Sequence, residues 1–338
     1  MVYRIKRWYY NTIHHFLGDW DYFLYDEKKH EKNVIKKFYN QEALCKTEKK
    51  SIIFIANGFC NHAGLCDRLK GIITLYAWCK EYDIDFKIHH IHPFNLSDYL
   101  IPNQYNWKID EREICYNKKL VSVNHLMLNN LVRKQIESNE ISSLEKVWFR
   151  KRINTDKVQM HFYTNMYPEN DNCFGTSFRE LFKPAPIIEK ALEAHSTSIG
   201  RQYISVSFRF VQLLGDFKDC DGITLSSEKQ ELLIKRSVEV IEIIKKFHPT
   251  IPKLLITADS GLFLERASIL PYVYIIKGKT GHINFESSDD VTMKTFLDFL
   301  MISKAKKVYL AKAENMYNSD FARRAAMINN LPFEIFKY

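Results

Sequence analysis

IIFIANGFCNHAGLCDRLKGIITLYAW, residues 52–78, contains a strand, a glycine-bearing turn and the start of a helix. The apolar run 52–55 predicts a strand that is buried on both faces. From about Leu65 the apolar residues recur at helical spacing, with Leu69 and Ile72 on one face. A strand, a glycine turn and a helix make half of a βαβ unit, so the stretch predicts an α/β protein with a parallel sheet.

The turn between this strand and this helix is where an open α/β sheet binds ligands. It is a polar loop flanked by two glycine-containing pairs, and its residues include Asn57-Gly58, Cys60, Asn61, His62 and Ala63-Gly64. The first N–H groups of a helix have partial positive charge and no partner within the helix, and glycine lets a ligand approach the backbone. Because many enzymes share such a turn, it predicts an anion site without identifying the anion.

Composition limits the class of protein. The chain has 338 residues, of which 46% are hydrophobic and 26% charged, which is enough for two domains with a sizeable core. Its net charge of +9 favours acidic partners: a nucleotide diphosphate, an anionic membrane surface or nucleic acid. Charge alone does not choose among the three.

The cysteines predict a reducing environment. All seven are scattered singly, with no CxxC pair and an odd total, which is typical of reduced thiols in a cytosolic compartment. Cys60 and Cys66, with His62 between them, could begin a metal site, but no second cluster at zinc spacing completes it. We therefore expect no metal there.

From the N-terminal residues we expect no cleaved secretion signal. No apolar run reaches the ~18 residues of a membrane span, and the first residues have neither the apolar segment nor the cleavage site of a signal peptide. Residues 3–10 are nevertheless basic and aromatic. They suit either a peripheral membrane contact or a helix packed on the domain, and packed helices are the commoner case.

Alternating strand and helix patterns follow the first strand. Residues 85–89 and 157–163 alternate like strands, whereas residues 124–140 have helical apolar spacing. Residues 186–195 predict a helix with Pro186 in its first turn. Four further strands alternate with four helices in the second half, and we expect them at residues 203–210, 227–247, 253–259, 261–268, 272–276, 292–303, 307–311 and 319–329.

A small, polar segment between helix and strand predicts the boundary between two domains. This segment is STSIG at residues 196–200. We therefore expect an N-terminal helical extension at 1–50, a Rossmann-like domain at 51–197 and a second Rossmann-like domain at 198–338.

The segment Gly64-Leu65-Cys66-Asp67-Arg68-Leu69-Lys70-Gly71-Ile72 resembles the G-L-G-D-R-L-R-G-I segment of the GDP-fucose-using fucosyltransferase superfamily. That superfamily includes bacterial nodulation α1,6-fucosyltransferases and the protein O-fucosyltransferases. Cys66 stands where the pattern has its second glycine. The resemblance implies the GT-B fold, with two Rossmann-like domains whose parallel sheets face a central cleft, the first on the acceptor side and the second binding the nucleotide sugar.

A second point of resemblance is Ser207-Phe208-Arg209, which is similar to the family's H-x-R motif, with serine in place of histidine. In the family this arginine holds the β-phosphate of GDP. A guanidinium at the end of a strand can bind diphosphate oxygens bidentately and stabilise the charge of a leaving phosphate. Alternatively, Arg209 pairs with Asp216 or Asp219 and has only a structural role.

The end of the chain is similar to the family's segment with a helical aspartate followed by S-x-F-S-x-x-A. Asp298 corresponds to the aspartate, and residues 318–326 correspond to the later motif. The resemblance implies that this helix start meets the phosphates and that the region between lines the guanine pocket. Asp320 is equally explained as a helix cap or dipole partner. Asp259-Ser260-Gly261 resembles the family's T/S-D-D turn, which implies a contact with the nucleoside.

The reaction that the resemblance implies is inverting transfer of fucose from GDP-fucose to a glycan hydroxyl. Arg209 would stabilise the leaving group, and a general base must accept the acceptor's proton, for which Asp67, His62 and His92 are candidates. The residues that we expect to contact the donor are Gly64, Arg68, Ser207, Arg209, Asp259, Asp298, Ser319, Asp320 and Phe321. Because no D-x-D-type pair is well placed, we expect no metal and no cofactor other than the donor itself.

Other functions remain open. The same motifs would fit a transferase that uses another nucleotide sugar, or an inactive relative that acts as a scaffold. The net charge and Arg150-Lys151-Arg152 raise nucleic-acid binding, although the basic residues are spread and no nucleic-acid motif is present. We expect a glycan acceptor, lipid-linked acceptors included, no nucleic acid partner, and a cytoplasmic location, peripheral at the cytosolic face of the inner membrane if residues 3–10 contact it.

Overall fold

The computed structural model describes residues 20–21, 23–39, 49–128, 138–167, 173–217, 223–284 and 288–338. In chain order its strands are β1 Ser51–Ala56, β2 Asp85–His90, β3 Leu100–Pro102, β4 Val121–Leu126, β5 Gln159–Thr164, β6 Phe182–Pro184, β7 Tyr203–Phe208, β8 Lys253–Ala258, β9 Val273–Tyr274, β10 Val308–Lys312 and β11 Phe333–Lys337. Its helices are α1 at 23–38, α2 Leu65–Glu81, α3 Ser138–Ile153, α4 Phe174–Leu181, α5 Pro186–Ile199, α6 Ser227–Phe247, α7 Gly261–Ala267, α8 Asp289–Ile302 and α9 Phe321–Ile328.

The chain divides into two compact units. Unit 1 contains the described residues up to His92 and from Tyr105 to Cys173, and unit 2 contains Pro93–Gln104 and Phe174–Tyr338. The division therefore falls at 173–174, whereas the sequence placed a boundary at 197–198. The short strand β3 pairs antiparallel with β6, and α5 packs against α8, so these elements belong with the second sheet.

Unit 1 is built on a four-stranded parallel sheet in the order β2-β1-β5-β4. All six residues of β1 are buried, which confirms the strand predicted from its apolar run. Helix α2 follows β1 and packs tightly on the sheet at Gly71. A Cβ atom added to Gly71 would lie 2.2 Å from the carbonyl oxygen of Thr164, so only glycine fits where this helix crosses the end of β5.

Unit 2 is built on a five-stranded parallel sheet in the order β11-β10-β7-β8-β9. The central strand β7 is buried along its whole length. Phe208, Phe210 and Phe263 form the middle of the core on one face, and the Phe208 and Phe263 rings are 4.6 Å apart. Because β7 is flanked by β10 and β8, the residues that follow these three strands come together at one edge of the sheet.

The structure departs from the sequence predictions at several places. Residues 121–126 form β4, so the helix predicted at 124–140 is wrong for its first residues, and 129–137 lie outside the described residues. Helix α5 extends to Ile199 and ends at Gly200 with φ 88°, so residues 196–199 are not a linker. Strand β9 is shorter than predicted, and β11 was not predicted. In each case sheet pairing or helix packing outweighed the local pattern.

Cys115 forms a disulfide whose partner lies outside the described residues, so the expectation of seven reduced thiols is wrong. Cys60, Cys66, Cys79 and Cys173 are free thiols. Disulfides persist in oxidising compartments, so the cysteines do not support a cytoplasmic location. Within the described ranges no helix is long and apolar enough to cross a membrane. The basic aromatic segment 3–10 lies outside those ranges.

Candidate functional site

Arg209 and Asp259 lie side by side at the carboxyl edge of the sheet of unit 2. Arg209 follows β7, Asp259 follows β8, and the last residues of these strands, Phe208 and Ala258, are register partners. Nη1 of Arg209 is 3.1 Å from Oδ2 of Asp259. The sequence correctly raised an acidic partner for Arg209 but did not name Asp259; of the two residues that it did name, Asp216 and Asp219, only Asp216 lies within the described residues.

Asp216 has a different role, and Asp219 lies outside the described residues. Oδ2 of Asp216 accepts hydrogen bonds from the hydroxyl of Ser260 and from the N–H of Leu262, both at 2.9 Å. The Ser260 hydroxyl in turn accepts the N–H of Phe263, which caps α7. Asp216 therefore stabilises the N-terminus of α7.

Asp259 is held rigidly by the backbone that follows β7. The N–H groups of Phe210 and Val211 donate to its two carboxylate oxygens at 2.8 and 2.7 Å. Val211 has φ 56°, an uncommon value for a β-branched residue, and this tight turn aims both N–H groups at the carboxylate. Burial raises the pKa of the Asp259 carboxyl, while Arg209 and the two N–H groups oppose that rise. The carboxylate thus positions the guanidinium beside it.

Arg209 also contacts an aromatic ring and the loop after β10. Its guanidinium lies 4.5 Å from the ring centre of Phe217, and 22% of its side chain is exposed. Its carbonyl oxygen accepts the N–H of Tyr317 at 3.3 Å. The segment that contains Ser319 and Asp320 therefore begins at the same sheet edge as Arg209.

The start of α9 is organised by its own side chains. The Ser319 hydroxyl accepts the N–H of Phe321 at 3.2 Å, and Asp320 pairs with Arg324 at 3.2 Å instead of capping the helix. The ring of Phe321 packs on Phe299 at 5.2 Å. The interpretation of Asp320 as a dipole partner of its helix is consistent with its ion pair one turn further on.

Ser207 lies inside the sheet. It is 6% exposed, and its hydroxyl shares a hydrogen bond with Thr257 on β8 at 2.7 Å. The Ser207 hydroxyl therefore has its hydrogen-bond partner on the neighbouring strand.

Asp298 is a buried carboxylate on α8. Its Oδ2 accepts from Nζ of Lys294 at 2.7 Å, one turn away on α8. Its Oδ1 is buried and has no hydrogen-bond partner among the described residues. Burial raises the pKa of Asp298, and Lys294 acts in the opposite direction. A buried acceptor without a donor costs free energy, so this oxygen fits an N–H group of a ligand.

In unit 1, His62 in the turn after β1 and Asp67 in the first turn of α2 each have a partner of their own. His62 is 1% exposed, and its Nδ1 donates to the carbonyl of Cys60 at 3.2 Å. Burial, and then the charge of Arg68, lower the pKa of His62 to about 3, so its imidazole is neutral. Asp67, in the first turn of α2, pairs with Lys70 at 2.7 Å.

Arg68 supports the same turn from inside. It is 3% exposed, and its Nη1 donates to the carbonyl of Ala63, which has φ 58°. Burial lowers the pKa of Arg68 to about 10. Gly64 precedes α2 with an ordinary φ of −75°. The motif that gave the strongest resemblance thus builds a stabilised turn before α2.

Other candidate sites receive no support in the described ranges. No group of three or more histidine, cysteine or acidic side chains there could hold a metal ion. In the basic run on α3, Arg152 pairs with Glu31 at 2.8 Å and lies over Trp148, while Arg150 bonds the hydroxyl of Tyr82. These two arginines are occupied by contacts within unit 1.

Sequence reasoning missed Lys294 and the pairing of Arg209 with Asp259. The first has a signal in the sequence, because Lys294 and Asp298 are four residues apart on a predicted helix. The second depends on β7 and β8 being neighbours, which the strand order decides.

Comparisons with known proteins agree with this architecture. No protein-family model matches the chain, and no curated protein matches it. Among solved structures, NodZ alpha-1,6-fucosyltransferase co-crystallized with GDP matches at a TM-score of 0.54 and 13% identity, covering 82% of this chain and 92% of that one. The fucosyltransferase NodZ from Bradyrhizobium matches at a TM-score of 0.52 and 14% identity, covering 82% of this chain and 92% of that one.

A mutant of Arabidopsis thaliana FUT1 in complex with GDP matches at a TM-score of 0.52 and 11% identity, covering 98% of this chain and 78% of that one. These identities are low, and the likeness is one of fold. The two parallel α/β units and these neighbours show that the chain has the GT-B fold of GDP-fucose fucosyltransferases.

Proposed function

We propose that this protein is a glycosyltransferase that transfers fucose from GDP-fucose to a hydroxyl of a glycan. The observation that supports this most is the guanidinium of Arg209, held by Asp259 at the carboxyl edge of the unit 2 sheet. Open α/β sheets bind ligands at this edge, and a fixed guanidinium suits a diphosphate. The solved structures of the same fold include complexes with GDP and with GDP-fucose.

In the reaction that we propose, Arg209 stabilises the charge that develops on the departing diphosphate. The N–H groups at the start of α9, next to Ser319 and Asp320, would add a second source of positive potential at the same edge. Together these two groups would stabilise the negative charge of the leaving diphosphate without a metal ion. We therefore propose metal-independent transfer with inversion at the sugar carbon.

Asp298 would bind the nucleobase. Its buried Oδ1 is an acceptor without a donor in the described ranges, and guanine offers N–H donors on its edge. Lys294 balances the charge of the carboxylate. Because a carboxylate oxygen accepts more than one hydrogen bond, Oδ2 can bind a second donor beside Lys294. We therefore propose that Asp298 favours guanine, which offers two adjacent N–H donors, over adenine, which does not.

The general base is a separate proposal. His62 lies in the turn after β1 and Asp67 in the first turn of α2. Asp67, with 32% of its side chain exposed, is the better candidate of the two. A neutral histidine at 1% exposure has no access to an acceptor hydroxyl in this conformation. We propose Asp67 for this role, with a glycan as acceptor.

The test is transfer from radiolabelled GDP-fucose to a panel of glycans, with GDP release measured in parallel. Arg209→Ala should lower turnover by about 100-fold or more, since one stabilising donor in an active site has that effect. Arg266→Ala is the matched control, because Arg266 pairs with Glu231 on the surface of the same unit.

Release of GDP that is unchanged in Arg209→Ala would refute the phosphate role. The same assay with EDTA tests metal independence, and GDP-mannose and UDP-glucose in place of GDP-fucose test the alternative donors. No turnover of any donor by the unaltered chain would favour the inactive relative.

A further inference from the structure

The edge of the unit 2 sheet at which its strands begin is strongly basic. All five strands are parallel, so the helix before each strand ends close to that strand's start. These five connections contain eight lysine and arginine residues against two acidic ones, whereas the whole chain has 49 against 40. We call them the amino edge and count each from the last three residues of the helix to the second residue of the strand: 197–204, 245–254, 265–274, 300–309 and 326–334.

The register of the sheet brings the cations of neighbouring strands together. The N–H of Lys306 donates to the carbonyl of Tyr203 at 2.9 Å, and Tyr203 is the register partner of Lys253. Arg201 lies two residues before Tyr203, and Lys304 lies two residues before Lys306. Strands β10, β7 and β8 therefore begin side by side, each with positive charge at its start.

Much of this charge is available to a partner. Glu334 pairs with Lys307 at 2.7 Å, and Glu265 is the other acidic residue of the amino edge. Burial, and then the charge of Lys307, lower the pKa of His248, as expected for an imidazole in a positive potential. Four cations are exposed and have no side-chain partner within the described ranges: Arg201, Lys246, Lys304 and Lys306.

Two large apolar side chains are exposed among these cations. Phe247, the last residue of α6, is 62% exposed, and Ile269, in the turn before β9, is 75% exposed. Cations and exposed apolar side chains on one surface are typical of proteins that bind an anionic bilayer. A nucleic acid strand would neutralise the cations but leave both apolar side chains in water. The combination therefore favours a bilayer over nucleic acid.

We propose that the amino edge of unit 2 is a docking surface for a bilayer that contains anionic phospholipids. The lysine and arginine side chains bind the lipid phosphates and carboxylates, and Phe247 and Ile269 enter the interfacial layer.

Arg209 and Asp259 lie at the other end of the same strands. Strand β7 has six residues, and a strand rises about 3.3 Å per residue, so about 20 Å separate the two edges. Docking therefore leaves the edge with Arg209 clear of the bilayer. The proposal does not depend on the proposed transfer, and substitutions at the amino edge should leave the affinity for GDP unchanged.

The test is co-sedimentation of the full chain with vesicles of phosphatidylcholine that contain about 30 mol% phosphatidylserine, compared with vesicles of phosphatidylcholine alone. At about 50 mM NaCl we expect binding to the anionic vesicles and at least about tenfold weaker binding to the neutral ones. At about 300 mM NaCl binding to the anionic vesicles should fall by about tenfold, because salt screens the cations. Equal binding to the two kinds of vesicle would overturn the proposal.

A triple variant assigns the binding to this surface. Arg201→Gln, Lys304→Gln and Lys306→Gln combined should lower the partition coefficient about 100-fold, since each cation near an anionic surface contributes about fivefold. Residues 3–10 are unaltered in this variant, so the loss belongs to the amino edge.

The matched control removes three exposed cations of unit 2 that lie outside the amino edge, and it combines Lys183→Gln, Lys190→Gln and Lys229→Gln. Equal losses in the two triple variants would overturn the proposal. If the first triple variant does not fold, as judged by circular dichroism, Lys304→Gln alone should lose about fivefold and Lys190→Gln should lose none. Equal binding of these two single variants would also contradict the proposal.

Phe247→Ala separates the bilayer from other anionic partners. It should weaken vesicle binding about threefold at about 300 mM NaCl, where the apolar contribution persists, while Ile187→Ala, an exposed isoleucine near the start of α5, should have no effect. Equal binding of the two variants would contradict a bilayer as the partner. Filter binding of an oligonucleotide of about 20 nucleotides that the triple variant loses, with no binding to either vesicle, would assign the surface to nucleic acid and overturn the proposal.

Discussion

Asp259 positions Arg209, and we expect the loss of its carboxylate to lower the stability of the fold. In Asp259→Asn, the amide nitrogen must face one of the two N–H donors of Phe210 and Val211, and the charge of Arg209 is left without its partner. We expect the free energy of unfolding in urea to fall by about 3 kcal/mol.

The matched control for this prediction is Glu231→Gln, which breaks the exposed pair with Arg266 at 3.0 Å. Exposed pairs contribute at most about 1 kcal/mol, so its effect should be far smaller. Equal losses in the two variants would mean that Asp259 does not support the site.

Asp298 gives a prediction about the base of the nucleotide. In Asp298→Asn the carboxylate charge is lost and one acceptor becomes a donor, so we expect the affinity for GDP to fall about tenfold or more while weak binding of ADP stays unchanged. Fluorescence competition against a labelled GDP measures both. An equal loss for GDP and ADP would show that Asp298 acts on the fold and not on the base.

At the residue scale, the sequence predicted strand ends well and side-chain partners poorly. Arg209 was predicted at the end of a strand that spans 203–210, and β7 in fact ends at Phe208, one residue before Arg209. Its partner is Asp259, about fifty positions later, since β8 and not the local loop lies beside it. Burial also changes what a motif does: Arg68 supports the turn at Ala63, and Ser207 bonds Thr257 within the sheet.

Gly71 sets the distance between α2 and the sheet. Gly71→Ala would place Cβ 2.2 Å from the backbone oxygen of Thr164, so the helix must shift, and we expect a loss of about 3 kcal/mol in the free energy of unfolding. Gly261→Ala, at the start of α7, is the control, because its Cβ would have ordinary contacts at 3.8 Å.

Urea titrations followed by circular dichroism compare the two variants with the unaltered chain. If Gly71→Ala is as stable as Gly261→Ala, then α2 does not depend on this close approach. The prediction concerns stability alone and is independent of the proposed activity.

At the element scale, the strands and helices with strong periodicity were predicted within a few residues. Helix α6 begins and ends where predicted, at Ser227 and Phe247, because its apolar spacing is unbroken over its length. Strand β4 was read as part of a helix, since Leu126 and Leu128 fit a helical face as well as a strand. Pairing with β5 decides that case, and pairing is invisible in a short window.

Two buried histidines make the stability of the whole molecule sensitive to acid. Burial lowers the pKa of His62 and of His161 to about 3, against 6.5 when unfolded. Above pH 6.5 both states are neutral and the stability is fully present. As the pH falls from 6.5 toward 3, only the unfolded chain takes up these protons, so we expect each histidine to cost about 1.4 kcal/mol per pH unit.

Urea unfolding at pH 7.5, 5.5 and 4.5 measures this slope. His161→Gln should reduce the slope by about half of the histidine contribution, with its effect concentrated below pH 6.5. His125 acts in the opposite window, since its raised pKa gives stability that is lost as the pH rises from 6.5 to about 9. A slope that His161→Gln leaves unchanged would contradict the account.

For the molecule as a whole, the α/β class and the GT-B fold were predictable from the sequence. The motifs that resemble the family occur in the expected order along the chain and lie at the ends of predicted strands. The assignment of residues 174–199 to the second unit was not predictable from the sequence. Helix α5 joins that unit because it packs on α8, and β6 joins it because it pairs with β3. The disulfide of Cys115 was not predictable either, because scattered cysteines do not reveal their pairing.

The central claim is that Arg209 binds the diphosphate of a guanosine nucleotide. Isothermal titration of GDP into the full chain, Arg209→Ala and the control Arg266→Ala tests it most directly. We expect saturable binding to the unaltered chain and the control, and a loss of about 30-fold or more in affinity for Arg209→Ala, the size expected for a charge-assisted contact. GDP binding of equal affinity in all three, with folding intact, would contradict the claim.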